Sequence, residues 1–125
     1  MLEYEPRDFL KPCLLLLINE RPDHGYDLVD RLRAFAGSEI DAGGVYRALR
    51  ALEHQGLVVS SWRMSTAGPA RRTYHLTAGG LESLKGRAAA LEATRDMIDD
   101  FLKRYAGVVG AEVAEPARAE EREQA

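Results

Sequence analysis

A tyrosine and two arginines lie close together in the segment GGVYRALRALEHQG, residues 43–56, as Tyr46, Arg47 and Arg50. Arg47 and Arg50 are three residues apart, which places both side chains on nearly the same side of a helix. Guanidinium groups can reach guanine O6 and N7 in a major groove, or bind a phosphate. A tyrosine ring with its hydroxyl suits contact with phosphate or sugar. The segment therefore has the chemistry of a helix that contacts duplex DNA.

Two further groups of residues indicate contacts with a DNA backbone. Gly43 and Gly44 open the helix, where glycine allows a close approach to phosphates and where exposed N–H groups favour an anion. Arg71 and Arg72 follow the turn-forming sequence STAGPA. Because neighbouring residues on a strand face opposite ways, we expect one of these two arginines to face DNA, with a slight preference for Arg71.

Contacts within the protein are the alternative explanation for these side chains. Glu53, on the same helix, could pair with Arg47 or Arg50. Tyr46 could pack against the strands that follow. Trp62 is expected to pack at the junction of strand and helix rather than to bind a ligand.

The charge of the chain is unevenly distributed. The formal net charge of the 125 residues is −3, but residues 42–81 contain five arginines and one glutamate, which leaves −7 for the rest of the chain. A basic middle within an acidic chain is typical of a nucleic-acid contact, although a solvated charged face would give the same counts.

The remaining residue types exclude several classes of function. The single cysteine, Cys13, excludes an internal disulfide and a cysteine-rich metal site, and its apolar run PCLLLLI predicts burial. That run is too short to span a bilayer and lacks the flanks of a signal peptide. The sequence shows no nucleophile–base set, metal-ligand cluster or phosphate loop. We therefore expect a cytoplasmic protein that is not an enzyme, uses no cofactor or metal and does not bind membranes.

Three helices are predicted before residue 57. The first follows a polar arm, residues 1–10, and contains the apolar run. The second begins after Asp23 as its N-cap and ends at Gly37. The third, which carries the arginines, has Asp41 as its expected N-cap and ends at Gly56.

A β-hairpin is predicted directly after the third helix. LVVSSWRM and RRTYHLT have strand-like composition, and STAGPA between them forms the turn. Two short helices joined at an angle, the second with exposed basic groups, followed by a hairpin, make a winged helix-turn-helix, which we place at residues 11–76. The predicted fold is mainly α with a β-hairpin wing and a long C-terminal helix.

That last helix is predicted over residues 77–106, with Thr77 as its N-cap. Its apolar residues recur at steps of three and four with one polar interruption, Arg95, as in a coiled-coil seam. The helix extends beyond what a small domain covers, so we interpret it as a dimerisation helix rather than as packing on its own domain. The expected interface residues are Leu81, Leu84, Ala88, Leu91, Ile98, Phe101, Leu102 and Tyr105. Residues 107–125 predict a disordered tail.

Three stretches in order, HGYDLVDRL, DAGGVYRALRALEHQGLVVSSW and GPARRTYHLTAGG, resemble the PadR family of bacterial transcriptional regulators. The resemblance runs from about residue 11 to residue 105. It is strongest to members with a short C-terminal helix, including polyhydroxybutyrate-responsive repressors. The resemblance implies a homodimeric winged-helix repressor that binds a palindromic operator in double-stranded DNA. Tyr46, Arg47 and Arg50 would then lie in the recognition helix, and Arg71 and Arg72 in the wing.

Two departures from the usual pattern of the family concern helix entrances. Gly44 stands where Thr or Ser is frequent, which removes a hydroxyl that could cap the helix or touch a phosphate. The sequence Thr77-Ala78-Gly79-Gly80 stands where Thr-Pro-Glu-Gly is frequent. We expect each change to loosen its helix entrance by about 0.5–1 kcal/mol.

The resemblance also raises a small-molecule effector, because some family members hold flat aromatic ligands between their subunits. The last helix of this chain has no tryptophan and offers only Phe101 and Tyr105 as aromatics, which does not favour such a sandwich. A small apolar or aromatic effector stays an open alternative, and Phe9, Phe35, Met97 and Phe101 could line its cavity.

A second hypothesis for the whole chain is a winged-helix module that binds protein through its long helix and has lost DNA binding. The net negative charge and Gly44 favour it. The complete set of arginines in the middle segment argues against it, because a module without a DNA partner has no use for exposed guanidinium groups at helical spacing.

Overall fold

The computed structural model describes residues 8–65 and 68–114, with side chains for all of these except residues 63–65, 69–70 and 111–114. Its elements in chain order are α1 (Leu10–Glu20), β1 (Asp23–His24), α2 (Gly25–Ala36), α3 (Ala42–His54), β2 (Val58–Ser65), β3 (Gly68–Leu76) and α4 (Ala78–Ala114). The described chain forms two compact units, one ending at Ala88 and the other beginning at Ala89. The predicted fold, mainly α with a hairpin wing and a long C-terminal helix, is confirmed.

The core of the first unit is built by the apolar faces of α1, α2 and α3. Leu14, Leu28 and Leu49, one from each helix, are fully buried, and Cys13 is buried as the apolar run predicts. Burying a leucine side chain stabilises a fold by about 1.5–3 kcal/mol. This core fixes the rotation of α3 about its own axis and therefore decides which of its side chains face outward.

The sheet has three strands rather than the two predicted, in the order β1-β3-β2 and all antiparallel. Asp23 pairs with Tyr74 and His24 with Thr73, so Asp23 lies in β1. The prediction of Asp23 as the N-cap of α2 is wrong: the N-cap is His24, whose side chain makes no capping hydrogen bond. A strand of two residues has no periodicity by which a sequence could reveal it.

The carboxylate of Asp23 binds groups on both sides of the α1–α2 connection. It accepts hydrogen bonds from the backbone N–H of His24 at 3.0 Å, from Arg21 at 3.3 Å and from Arg31 at 3.2 Å. Burial opposes its ionisation, but these three hydrogen bonds outweigh burial and lower the pKa of Asp23 below its ordinary value. Arg31 also donates to the carbonyl of Leu17 at 2.7 Å and so caps the end of α1.

The turn between α2 and α3 is held by side chain to backbone hydrogen bonds. Gly37 ends α2 with a φ of 128°, a value that favours glycine. Both Nε and Nη2 of Arg33 donate to the carbonyl of Ile40 at 3.1 Å. Asp41 then caps α3, as predicted, because its Oδ2 accepts from the backbone N–H of Gly44 at 3.0 Å. Asp41 thus caps the start of α3 although position 44 carries no hydroxyl group.

The end of α3 is a Schellman motif. The N–H of Leu57 donates to the carbonyl of Leu52 at 2.9 Å, and the N–H of Gly56 donates to the carbonyl of Glu53 at 3.0 Å. Gly56 has a φ of 76°, so the predicted stop is confirmed. The chain therefore reverses sharply after α3 and enters the wing after three residues.

The start of α4 is attached to the end of α3. Thr77 Oγ1 accepts from the N–H of Gly80 at 2.9 Å, which confirms the predicted cap, and donates to the carbonyl of Gly56 at 2.7 Å. A Cβ atom at Gly80 would collide with the carbonyl oxygen of Leu57. Glycine is required at this position because two backbones approach each other closely there.

Helix α4 is longer than predicted. It ends at Ala114, whereas the sequence placed its end at residue 106 and began the disordered tail at residue 107. Alanine and glutamate in this stretch favour helix, and the two glycines weaken it without the break that a proline would cause. Residues 1–7 of the predicted arm and residues 115–125 of the predicted tail lie outside the described residues. Among those described, no helix is both long and apolar enough to cross a membrane.

Candidate nucleic-acid interface

Helix α3 has one face in the core and the opposite face exposed. Val45, Leu49 and Leu52 are fully buried. Tyr46 is 36% exposed, and Arg47 and Arg50 are exposed, which is the arrangement that the sequence predicts. A buried stripe and an exposed basic stripe on one helix allow α3 to enter a groove while its other face stays attached to the core.

The ring of Tyr46 packs against the first residue of α2. A Cβ atom at Gly25 would lie 2.5 Å from Cε1 of Tyr46, so only glycine leaves room for the ring. Tyr46 therefore packs against α2, and it also lines the same cleft as Trp62 and Tyr74 of the wing. This contact restricts the ring while leaving part of the side chain accessible.

Arg47 and Arg50 differ in their partners. Nη2 of Arg47 lies 3.5 Å from Oδ2 of Asp41, and both side chains are more than two-thirds exposed, so the pair is weak. Arg50 makes no ion pair or side-chain hydrogen bond within the described part of the chain. The alternative pairing of either arginine with Glu53 is not formed, because the Glu53 carboxylate binds Arg72 and Ser60 instead.

Arg72 joins the wing to α3. Its Nη2 donates to Glu53 Oε1 at 3.0 Å, and its Nε donates to Ser60 Oγ at 2.7 Å. The hydroxyl of Ser60 donates in turn to Glu53 Oε2 at 2.6 Å. The Arg72 guanidinium also lies 5.8 Å from the centre of the Tyr74 ring, within reach of a cation–π interaction. We call Glu53, Ser60 and Arg72 the wing network.

Arg71 contacts a different part of the molecule. It is exposed, and its Nη1 lies 3.2 Å from Nε2 of His24 at the start of α2. The same ring nitrogen lies 2.8 Å from Oδ2 of Asp27. The two adjacent wing arginines therefore have different environments. Arg72 is bound by the carboxylate of Glu53, whereas the exposed Arg71 lies beside His24.

Asp23, His24 and Asp27 are the described residues that come close enough together to hold a metal ion. Guanidinium groups already surround them, since Arg31 binds Asp23 and Arg71 lies against His24. Positive charge at these distances opposes a divalent cation. The cluster is better described as an ion-pair network that supports the start of α2.

Helices α2 and α3 and the wing enclose an open cleft of about 590 Å³. Among the described residues, its lining contains four aromatic side chains, three guanidinium groups and a histidine, and no carboxylate. The lining residues are His24, Gly25, Tyr26, Tyr46, Arg50, Trp62, Arg71, Arg72 and Tyr74. We call this space the wing cleft.

Tyr26 and Trp62 are large aromatic side chains at the wing cleft that sequence reasoning did not assign to a site. They are 71% and 68% exposed, so the expectation that Trp62 packs at the junction of strand and helix is wrong. Tyr26 and Trp62 line the same cleft because β1 pairs with β3, which joins residues about 50 positions apart.

Tyr74 lies at the inner end of the wing cleft and is 4% exposed. Burial raises the pKa of Tyr74, and the carboxylate of Glu53 adds to this effect, while the nearby Arg72 opposes it. The phenol therefore stays neutral at physiological pH and contributes no negative charge to the cleft.

The residues predicted for a dimer interface fall into two groups. Leu84 is partly buried and packs against the core of the first unit. In the second unit Ile98, Phe101, Leu102 and Tyr105 are 51–65% exposed. The others of the predicted set are Leu81, Ala88 and Leu91, of which Leu91 is half-buried. Of the residues expected around an apolar cavity, Phe9 packs against the core, and Phe35, Met97 and Phe101 are largely exposed.

Comparisons with known proteins identify the family of this chain. The model of the transcriptional regulator PadR-like family matches residues 14–86. The chain is similar to the structure of a PadR family transcriptional regulator from Eggerthella lenta, at 32% identity and a TM-score of 0.61 over 71% of this chain and 80% of that one. It is also similar to a PadR-like transcriptional regulator from Bacillus cereus, at 26% identity and a TM-score of 0.68 over 74% and 90% of the two chains.

A transcriptional regulator from Clostridium thermocellum is similar at 25% identity, with a TM-score of 0.68 over 76% of this chain and 91% of the other. No curated protein sequence matches the chain. The family match extends from α1 through the wing into the start of α4 and covers more than half of the chain. On these grounds the chain belongs to the PadR-like family of transcriptional regulators, whose members are not enzymes.

Proposed function

We propose that this regulator binds DNA sequence-specifically as a homodimer and represses transcription from a palindromic operator. The observation that carries the proposal is the Arg50 guanidinium, which is exposed on the outer face of α3 and has no ion-pair partner among the described residues. A guanidinium held in this way on a helix that can enter the major groove can form paired hydrogen bonds with a guanine. Arg47 lies one helical turn earlier and reaches the same groove or its phosphates.

The start of α3 provides the backbone contacts. Gly43 and Gly44 have no side chains to keep a phosphate away from the helix N-terminus. The N–H of Gly44 is already bound by Asp41, whose carboxylate would repel a phosphate. The N–H of Gly43 is therefore the better donor to DNA at this end, and Arg47 offsets part of the Asp41 charge.

The two wing arginines have different roles in this proposal. Arg71 contacts the phosphate backbone or the adjacent minor groove, because its side chain is exposed. Arg72 belongs to the wing network and fixes the wing against α3. Because the spacing between α3 and the wing is fixed, both can contact one DNA segment without the entropy cost of ordering the wing on binding.

The dimer is proposed from the second unit. Large apolar side chains are exposed along α4 from residue 97 to residue 109, and a second copy of α4 is the natural partner for such a seam. A two-fold dimer places two recognition helices on half-sites separated by about one helical turn of DNA, roughly 34–36 Å. A repressor of this kind acts where the chromosome is, so we place it in the bacterial cytoplasm.

A fluorescence anisotropy titration tests the proposal. The full chain is titrated onto labelled DNA from upstream of its own gene, at two salt concentrations and with excess random duplex. We expect binding that survives the competitor and weakens steeply with salt, because arginine–phosphate contacts release counterions. Footprinting should then show a palindrome. Binding that random duplex removes completely, followed by failure to enrich any site from a random DNA pool, would contradict it.

The second candidate, a module that binds protein and has lost DNA binding, is favoured by one observation. The exposed carboxylate of Asp41 stands at the N-terminus of α3, where a phosphate would have to approach. Substitution Asp41→Asn separates the two candidates, since it removes the charge and keeps a capping side chain. A DNA-binding protein should gain affinity from it, whereas a module that does not bind DNA should show no binding before or after the change.

A further inference from the structure

We propose that the wing cleft is also a binding site for a small planar anion, an aromatic ring system that carries a phosphate or a carboxylate. We further propose that this ligand and DNA exclude each other. The first statement rests on the cleft alone, and the second rests also on the proposed DNA-binding function.

The shape of the wing cleft suits a small ligand. Its volume of about 590 Å³ lies within the range of roughly 300–1,000 Å³ that is usual for ligand pockets. Tyr26 and Trp62, which line it, are 71% and 68% exposed, and Tyr46, also in the lining, packs against Gly25 of α2. Aromatic faces open to solvent at a concave surface favour a flat ring that can stack on them.

The charge of the wing cleft suits an anion. Arg50 and Arg71 make no ion pair among the described residues, and none of the described residues that line the cleft is acidic. Asp27 lies just outside the lining, 2.8 Å from the His24 nitrogen that Arg71 contacts. The third arginine, Arg72, is compensated by Glu53. Arg50, which has no carboxylate partner among the described residues, and Arg71, which reaches a carboxylate only through His24, both lie beside aromatic rings. They match a molecule with a planar ring and a carboxylate or phosphate, because guanidinium forms paired hydrogen bonds with either anion.

Occupation of the wing cleft would interfere with DNA at the same side chains. Arg50 and Arg71 are the groups proposed to bind bases and phosphates, and an anion bound between them uses their donors. The two equilibria are linked, so DNA must weaken the binding of the small anion by the same factor by which the anion weakens DNA binding. The effector would therefore act by direct competition and would need no movement of α4.

The chain contains one tryptophan, Trp62, and it lies in the wing cleft, so its fluorescence reports on this site directly. The full chain without DNA is titrated with adenosine 5′-monophosphate and, separately, with benzoate, at an excitation where neither absorbs. Adenosine and inorganic phosphate are the controls for ring alone and charge alone. We expect saturable quenching by at least one ring-bearing anion, at least tenfold tighter than by either control.

The two arms distinguish the source of the ligand. Quenching by the nucleotide alone indicates a nucleotide, and quenching by benzoate alone indicates an aryl carboxylate. Quenching by neither, or equal binding of inorganic phosphate, would overturn the assignment. Substitutions Arg50→Ala and Arg71→Ala should each weaken the binding about tenfold, whereas Lys85→Ala removes an exposed charge outside the cleft and should leave it unchanged.

Competition is measured by repeating the DNA titration at a saturating concentration of the anion that quenches. We expect DNA affinity to fall at least tenfold, and DNA to restore the fluorescence of Trp62 in the reverse titration. Unchanged DNA affinity at full quenching would refute mutual exclusion. Quenching in a protein that binds no DNA at all would leave the ligand site in place and refute the proposed function instead.

Discussion

The outer face of α3 with its wing and the exposed side of α4 present opposite chemistry to solvent. The first combines guanidinium groups with aromatic rings around the wing cleft. The second is a succession of apolar side chains, namely Met97, Ile98, Phe101, Leu102, Tyr105, Val108 and Val109, each at least 37% exposed. The first surface has the charge to bind a polyanion, and the second has apolar area that would be buried against another apolar surface.

This difference predicts that the two surfaces respond differently to the solvent. Contacts between arginine and phosphate weaken as salt rises, because releasing the same counterions into a more concentrated salt solution gains less entropy. Apolar contacts do not weaken with salt and strengthen slightly in salts that are excluded from protein surfaces. When salt concentration is raised at constant protein concentration, DNA binding should therefore weaken while self-association stays the same or strengthens slightly.

The largest effect is expected from charge placed in the apolar seam of α4. The double substitution Ile98→Asp with Leu102→Asp should weaken the dimer by about 3–5 kcal/mol, since each subunit loses two apolar contacts and gains two carboxylates that must be desolvated. Sedimentation equilibrium measures the change. Lys103→Asp, on the same helix but outside the seam, is the matched control. A variant that stays as dimeric as the control would locate the dimer interface elsewhere.

The next effect concerns the arginine without a partner. Arg50→Ala should weaken specific DNA binding by about 1–3 kcal/mol if it contacts a base, and should leave the salt dependence nearly unchanged. Anisotropy titrations at several salt concentrations measure both quantities, with Lys85→Ala as the control. If the slope of the logarithm of the binding constant against the logarithm of the salt concentration fell by about one, and affinity for specific and random duplex fell equally, Arg50 would instead be assigned to a phosphate. No loss at all would remove Arg50 from the interface.

The wing network should affect stability more than specificity. Glu53→Ala leaves the half-exposed Arg72 and the hydroxyl of Ser60 without their shared acceptor, and we expect a loss of about 1–2 kcal/mol in the free energy of unfolding. Urea unfolding followed by circular dichroism measures it. Because Arg72 is freed by this change, nonspecific DNA affinity should rise slightly. Wild-type stability with reduced DNA binding would contradict the positioning role.

Local signals in the sequence were sufficient to predict helix α3. The cap at Asp41, the stop at Gly56 and the buried stripe of α3 each depend on residues within a few positions of one another. The fold class followed from the order of such segments, and the structure confirms it. A helix terminus or an amphipathic face can be predicted because the interacting groups are neighbours along the chain.

The wing cleft could not be predicted in the same way. The pairing of His24 with Thr73 brings Tyr26 to the wing, and the partner of Arg72 lies 19 residues earlier, on another element. Strand alternation showed that the two wing arginines differ, but only the tertiary contact with Glu53 identified which of them is bound within the protein. The prediction for Trp62 was wrong for the same reason, since exposure depends on what else packs nearby.

The smallest effect contrasts the pH dependence of the two regions. Asp23 supports the start of α2, and its pKa is lowered by hydrogen bonds to His24, Arg21 and Arg31 despite burial. A carboxyl whose pKa is lower in the folded state stabilises the fold fully above its unfolded pKa, near 3.8, and this contribution is lost as the pH falls through the lower folded value.

Asp23→Asn should therefore reduce the free energy of unfolding by about 1 kcal/mol at neutral pH, and the difference from wild type should shrink below about pH 3.8. Urea unfolding at a fixed protein concentration measures it, because the stability of the proposed dimer would depend on concentration. Apolar contacts along α4 have no group that titrates there, so Leu102→Ala should cost the same at both pH values. If the difference in the free energy of unfolding between wild type and Asp23→Asn were the same at both pH values, the carboxylate charge of Asp23 would not stabilise the fold.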